Sequence, residues 1–352
     1  MKLNITLASL LSLLSANAAA AQELCSNDIV VFGDSFSDTG NLFAISGGGL
    51  PPAPYYDSGR FTNGKVWVEY LADLMKLSPP APRYSSTEPS AGTNYAIAGA
   101  ASGNDPTITW IPALTGGTQT LPAKGLRLQI QDFLNDYDDT STCSSELFVI
   151  WVGANDFGLL GEGPNYENIV KNIEDGIEDL ISKGGATKIL VLNLPALPST
   201  PAAVGTYTSL FVNQTLPAGM AESVEAYNKM LEDVLKNIDA NNEGVNIIHA
   251  DIAPLFDEAA SNPVKFGLDD TKDTGIPRLN ETAFFLGSSV DYLNVENALW
   301  FDGVHPTTTF HEVLAIKVHK IVKKSTKGSK KGKGSKGAKG SKGSKGAKGA
   351  KN

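Results

Sequence analysis

Five short runs rich in β-branched and aromatic residues, at 29–32, 94–97, 147–152, 189–194 and 245–249, are separated by longer stretches in which apolar residues recur every three or four positions. This alternation constrains the fold more than any other feature of the chain. Helical crossovers between strands produce a parallel sheet covered on both faces. The helical period is cleanest at 221–238, where Val224, Tyr227, Met230, Leu231, Val234, Leu235 and Ile238 form one apolar stripe between Glu and Lys residues. Stretches 66–75, 126–137 and 169–181 follow the same logic, and 307–322 reads as a last helix with a threonine cap after Pro306. Two stretches rich in Gly, Pro and Thr, 102–122 and 195–217, read as long loops, and loops of this length in a compact domain tend to be functional. Ligands of such sheets bind beyond the carboxyl ends of the strands. Ser35, Gly99 and Asn155 each follow an expected strand, so they are expected to meet at that edge.

The two ends of the chain have a different character. Residues 1–21 carry a lysine at position 2, a leucine-rich apolar run and then a series of alanines, which reads as a secretory signal peptide. The run is shorter than the roughly 20 apolar residues that a membrane span requires, so a soluble secreted protein is expected, with no transmembrane segment. Cys25 and Cys143, the two cysteines of the chain, can form one bridge in an oxidising compartment or remain free thiols. Asn213-Gln214-Thr215 and Asn280-Glu281-Thr282 match the acceptor pattern for N-glycosylation.

Of the 29 basic side chains, 12 are lysines in 323–352, a segment without a single acid; residues 1–322 hold the other 17 against all 38 acidic ones, a net charge of -21. An acidic body thus carries a strongly basic tail. The Lys-Gly-Ser and Lys-Gly-Ala triplets of 323–352 offer nothing larger than alanine to bury, so disorder is expected there. Such a tail suits electrostatic attachment to an anionic surface, or else it is a solvated extension with no partner. The acidic body argues against nucleic-acid binding. Two cysteines and four scattered histidines give no zinc-ligand spacing, and a phosphate-cradling glycine loop with lysine is missing from the sequence.

Two compact segments carry the chemistry. The first, Phe32-Gly33-Asp34-Ser35-Phe36-Ser37-Asp38-Thr39-Gly40-Asn41, puts Ser35 on an expected strand-to-helix turn, with its own amide at a helix N-terminus. The second, Trp300-Phe301-Asp302-Gly303-Val304-His305-Pro306, places a carboxylate three residues before a histidine on one loop. A serine hydroxyl is a poor nucleophile until an imidazole takes its proton, and a carboxylate must hold that imidazole in the right tautomer. Ser35, His305 and Asp302 supply all three parts. An oxyanion needs donors as well: the amides of Ser35 and Gly99 and the side chain of Asn155, in Gly153-Ala154-Asn155-Asp156, are the candidates.

These segments, with Asn94-Tyr95-Ala96-Ile97-Ala98-Gly99-Ala100, resemble in order the four blocks of the GDSL or SGNH hydrolases, a family of esterases and lipases. The string from Gly59 through Asn63, Trp67 and Ala72 is similar to one found in larger secreted members. The resemblance covers roughly residues 28–322 and makes 22–322 the hydrolase domain. It implies a three-layer α/β/α sandwich of flavodoxin-like type with a parallel sheet of about five strands, and no metal or organic cofactor. It further implies hydrolysis of carboxylic esters through an acyl-enzyme, with Ser35 as nucleophile, His305 as acid and base, Asp302 as its partner, and Gly99 and Asn155 as oxyanion donors. Ala98 stands where relatives often have a second glycine, which bears on the choice of backbone amide. Lipases, phospholipases and carbohydrate acetylesterases share this triad, and a binding module tethered by the basic tail is the non-enzymatic alternative. Phe43, Leu50, Tyr55, Tyr56, Trp110, Ile111 and Leu114 either line an acyl or sugar site or belong to the core.

Overall fold

The computed structural model of the protein describes residues 28–51, 53–54, 56–85, 92–110, 119–137, 145–159, 165–197, 200, 219–269 and 297–332. The expected leader, both cysteines, both glycosylation triplets, most of the 195–217 loop and residues 333–352 lie outside them.

Four parallel strands form the central sheet: β1 (Ile29–Gly33), β4 (Leu147–Trp151), β5 (Lys188–Leu192) and β6 (Asn246–Ala250), side by side in that order. Alternate residues of each strand point to opposite faces, and here both faces are apolar. Ile29, Val31, Val149, Trp151, Leu190, Leu192 and Ile248 pack on one side against α2 (Trp67–Met75), α7 (Ala253–Ser261) and α8 (Thr308–Gly332). Val30, Phe32, Phe148, Ile150, Ile189 and Val191 pack on the other against α3 (Leu126–Asp136), α5 (Tyr166–Ser182) and α6 (Met220–Asn241). Each such side chain taken out of water contributes about 1.5–3 kcal/mol, and the doubly covered sheet explains why the strands read as unbroken apolar runs.

The fifth strand candidate, 94–97, lies beside β1 but does not form a regular ladder. A parallel bridge joins Val31 to Asn94, the Tyr95 amide donates to the Val31 carbonyl at 2.7 Å, and the Ile97 amide donates to the Gly33 carbonyl at 3.1 Å. The Gly33 amide, which a continued ladder would have given to the Tyr95 carbonyl, goes instead to Gln129 Oε1 (2.9 Å). The chain leaves β1 over the α2 face to reach 94–97 on one side, then crosses the α3 face to β4 on the other. The end of β1 is therefore a topological switch point, where a cleft can open.

Within the stretch expected to be a long loop, Ile108–Trp110 (β2) and Gln119–Leu121 (β3) form a small antiparallel pair. Two short helices, α1 (Asn41–Ile45) and α4 (Ala154–Leu159), follow β1 plus its turn and β4. The last helix does not stop at Val322, the boundary expected for the lysine-rich segment: α8 runs ten residues further, to Gly332. Extending an anchored helix needs no new nucleus, and the Ser325 hydroxyl donates to the Asn246 side chain (2.9 Å), holding the extension against β6.

Candidate active site

At the carboxyl end of β1, Gly33 has no room for a side chain, because a β-carbon there would sit 2.2 Å from the Trp151 carbonyl oxygen. Its polar groups are closed off by the buried Gln129, whose Oε1 accepts the Gly33 amide (2.9 Å) and whose Nε2 donates to the Gly33 carbonyl (2.9 Å). The chain then turns sharply, with the Ser37 and Asp38 amides donating to the Asp34 carbonyl at 3.0 Å. Contrary to the expectation, this turn is not the start of a helix; α1 begins only at Asn41.

Ser35 leaves the turn with its Oγ 2.8 Å from His305 Nε2. His305 Nδ1 lies 2.6 Å from Asp302 Oδ2. Asp302 Oδ1 accepts the amides of Val304 (2.9 Å) and His305 (2.7 Å), so the three-residue spacing folds the loop around its own carboxylate. The Tyr56 hydroxyl donates to Oδ2 at 2.9 Å. Burial alone would raise the Asp302 carboxyl, yet the adjacent imidazole and the two amides hold it below the usual carboxylate range. Asp302 and His305 are buried, and Ser35 retains 9% exposure.

The loop is pinned from two directions. Its own backbone closes through the Phe301 amide on the His305 carbonyl (2.8 Å), and Thr307 Oγ1 accepts the Phe310 amide (3.3 Å) at the entrance to α8. From the segment ahead of α2, Thr62 Oγ1 donates to the Pro306 carbonyl (2.8 Å) and Asn63 Oδ1 accepts the Thr308 amide (2.8 Å). Arg60 holds Glu69 in a two-point pair at 2.7 and 2.8 Å and donates to Asp57 at 3.1 Å. The Gly59-to-Ala72 string is thus the clamp on the histidine loop. His311, passed over in the sequence, lies beneath: burial, aided by the nearby His305, pushes it down to about 3, and its Nδ1 accepts the Trp67 amide (3.2 Å). A neutral imidazole there adds no charge to compete with His305.

The serine and glycine blocks are stitched together by side chains that the sequence presented only as motif letters. Asp38 accepts the amides of Gly40 (2.8 Å), Asn41 (2.6 Å), Leu42 (3.1 Å) and Ala98 (2.9 Å). Asn41 Nδ2 donates to the carbonyls of Asn94 (2.7 Å) and Ala96 (2.8 Å). Since the Ala98 amide is taken by Asp38 and the Ala100 amide by the Ile97 carbonyl (3.0 Å), Gly99 is the member of this turn whose amide has no acceptor among the described residues. Gly99 adopts a positive φ of 84°, a conformation that glycine enters without strain. Asn155, at the start of α4, donates to the Ala100 carbonyl (3.0 Å), which fixes it beside the same turn. Leu50 and Tyr56 are buried in an apolar cluster with Phe61, Ala98 and Phe301, and Phe43 is half-buried. Tyr55, Ile111, Leu114 and the Trp110 side chain lie outside the described residues.

A buried hydroxyl, imidazole and carboxylate in a hydrogen-bonded line is an arrangement that can activate a nucleophile. The sequence matches the family described as GDSL-like Lipase/Acylhydrolase over residues 29–318, and the chain belongs to that family of ester hydrolases. A phosphatidylcholine-sterol acyltransferase of Aeromonas hydrophila is 29% identical over 318 residues, covering 82% of this chain and 87% of its own. A GDSL esterase/lipase of Arabidopsis thaliana is 28% identical over 330 residues, covering 86% of this chain and 90% of its own. Among solved structures, a catalytic mutant of an acetylxylan esterase from Geobacillus stearothermophilus is similar at 9% identity and a TM-score of 0.41, covering 84% of this chain and 94% of that one.

Proposed function

We propose that the protein cleaves carboxylic esters through a covalent acyl-enzyme on Ser35. His305 takes the hydroxyl proton as Ser35 attacks the carbonyl carbon, and Asp302 stabilises the imidazolium that forms. The amides of Ser35 and Gly99 and the Asn155 side chain receive the oxyanion. His305 returns the proton to the leaving alkoxide, and water repeats the sequence to release the acid. The observation that carries this reading is the 2.8 Å contact between Ser35 Oγ and His305 Nε2, with the far nitrogen of the same ring on Asp302.

A fluorophosphonate probe tests it directly. Intact mass is expected to show one adduct per chain, and peptide mapping is expected to place it on Ser35. Stoichiometric labelling of another residue, with Ser35 unmodified, would overturn the assignment. A series of nitrophenyl esters from acetate to palmitate, together with acetylated sugars and phospholipids, separates the substrate classes that share this chemistry. The Aeromonas relative, named as an acyltransferase, makes delivery of the acyl group to an alcohol the second reading. An added alcohol would then divert product from acid to ester.

Export belongs to the same proposal, supported by the basic, apolar and small-residue order of 1–21; among the described residues no helix is long and apolar enough to cross a membrane. Attachment to an anionic surface is supported by the 12 lysines of 323–352. Removing 333–352 is expected to weaken retention on an anionic matrix at low salt, and unchanged retention would discard the idea.

A further inference from the structure

The hydrogen-bonded line does not end at Asp302. Tyr56, 246 residues away in sequence, donates its hydroxyl to Asp302 Oδ2 at 2.9 Å, the same oxygen that faces His305 Nδ1 at 2.6 Å. Oδ1 is already occupied by the Val304 and His305 amides. We propose that Tyr56 is a positioning residue of the reaction, which sets the proton affinity of Asp302 and through it that of His305. The inference rests on the triad reading above.

The geometry fixes the tyrosine rather than merely permitting the contact. Tyr56 is buried, its ring meets Phe301 edge-on at 5.1 Å and Phe61 at 5.7 Å, and Phe61 itself lies 5.2 Å from the His305 ring. One aromatic group of residues therefore holds both the phenol and the imidazole against Asp302. A phenol donating to Oδ2 competes with the imidazolium for the negative charge on that oxygen. With it, Asp302 pulls less strongly on the His305 proton; without it, the imidazolium is favoured and His305 becomes a stronger base in the free enzyme.

The other titratable groups around the pair are common to the parent and the Tyr56 variants, so the difference between their profiles reads the change at position 56. His311 on α8 is kept neutral by burial, and its Nδ1 is held by the Trp67 amide. In the serine turn, Asp38 is enclosed by four amides and Asp34 Oδ1 takes the Phe36 amide (3.1 Å). Arg60 of the clamp is paired with Glu69 of α2 and with Asp57, the residue after Tyr56.

The test is the pH profile of kcat/KM for a soluble nitrophenyl ester in Tyr56→Phe, in a protein carrying a fluorinated, more acidic tyrosine at 56, and in Ser35→Ala. For Tyr56→Phe, KM is expected to stay within about twofold and the acid limb to move to higher pH by roughly half a unit. The fluorinated phenol, a stronger donor, is expected to move the limb the opposite way. A slower Tyr56→Phe enzyme with an unmoved limb would overturn the inference and leave Tyr56 a packing residue. Should that variant lose its cooperative melting transition, the fluorinated protein carries the test alone, and an unmoved limb there overturns it equally. Retained activity in Ser35→Ala is the separate outcome that sinks the triad reading itself.

Discussion

Replacing Ser35 with alanine is expected to lower kcat/KM for a nitrophenyl ester by about four to six orders of magnitude. The size follows from what remains. Without the Oγ the proposed acyl-enzyme cannot form, and water must attack directly, helped only by binding and by the proposed oxyanion donors. His305→Ala is expected to reach a similar floor, because the serine is then left without the ring nitrogen that stood 2.8 Å away to take its proton. The double variant should be no slower than either single one, since groups that act as a unit are not additive. Stability is the control: removing one hydroxyl whose partner is a ring nitrogen costs about 1 kcal/mol, so the alanine protein should melt cooperatively near the parent's midpoint. A folded Ser35→Ala protein that keeps a tenth of the parent rate would sink the nucleophile assignment.

How much of this was legible depended on range. The strand runs and the apolar stripes of α2, α3, α5, α6 and α8 could be read locally, because a sheet covered on both faces demands uninterrupted apolar runs and helices with one buried side. Where ends moved, a local device moved them. Asn165 accepts the Asn168 amide (3.1 Å) and starts α5 at Tyr166, ahead of the apolar stripe that begins at Ile169. Helix α7 went unread because its nine residues carry a proline near the start and only a short stripe of Leu255, Phe256 and Ala259. The candidate triad was legible as residue types and order, since one loop holds Asp302 with His305 and a serine follows the first strand. The support for it was not. Tyr56 on Asp302 and the Thr62 and Asn63 contacts to the histidine loop join residues more than 240 positions apart. Asp38 on Ala98 spans 60. No periodicity encodes such pairs, and only the long motif strings hinted that more than the candidate serine was specified.

The second large effect concerns stability and arises at Asp34, the residue before Ser35. Asp34 is fully buried; its Oδ1 accepts the Phe36 amide, and its Oδ2 has no hydrogen-bond partner among the described residues. Burial pushes its carboxyl up to about 8, with the Phe36 amide opposing and the nearby Asp156 adding to the rise. Asp38 and Asp156 are raised by burial as well, each to about 6. The sign follows from linkage. A folded-state value above the unfolded value means that the native protein binds the proton more tightly, so the stabilisation is complete below about pH 4 and drains away as pH rises to about 8. Each unit of difference corresponds to about 1.4 kcal/mol, so Asp34 alone accounts for a loss on the order of several kcal/mol across that window. A carboxamide cannot ionise, so the Asp34→Asn protein is expected to lack this slope and to gain on the parent steadily between about pH 4 and pH 8, whatever fixed offset the amide introduces. Urea unfolding of both proteins at a series of pH values measures the difference. Parallel stability curves over the whole window would mean that Asp34 keeps its ordinary carboxylate character despite its burial. A widening gap that levels off above about pH 8 would identify Asp34 as a carboxyl held neutral by its burial.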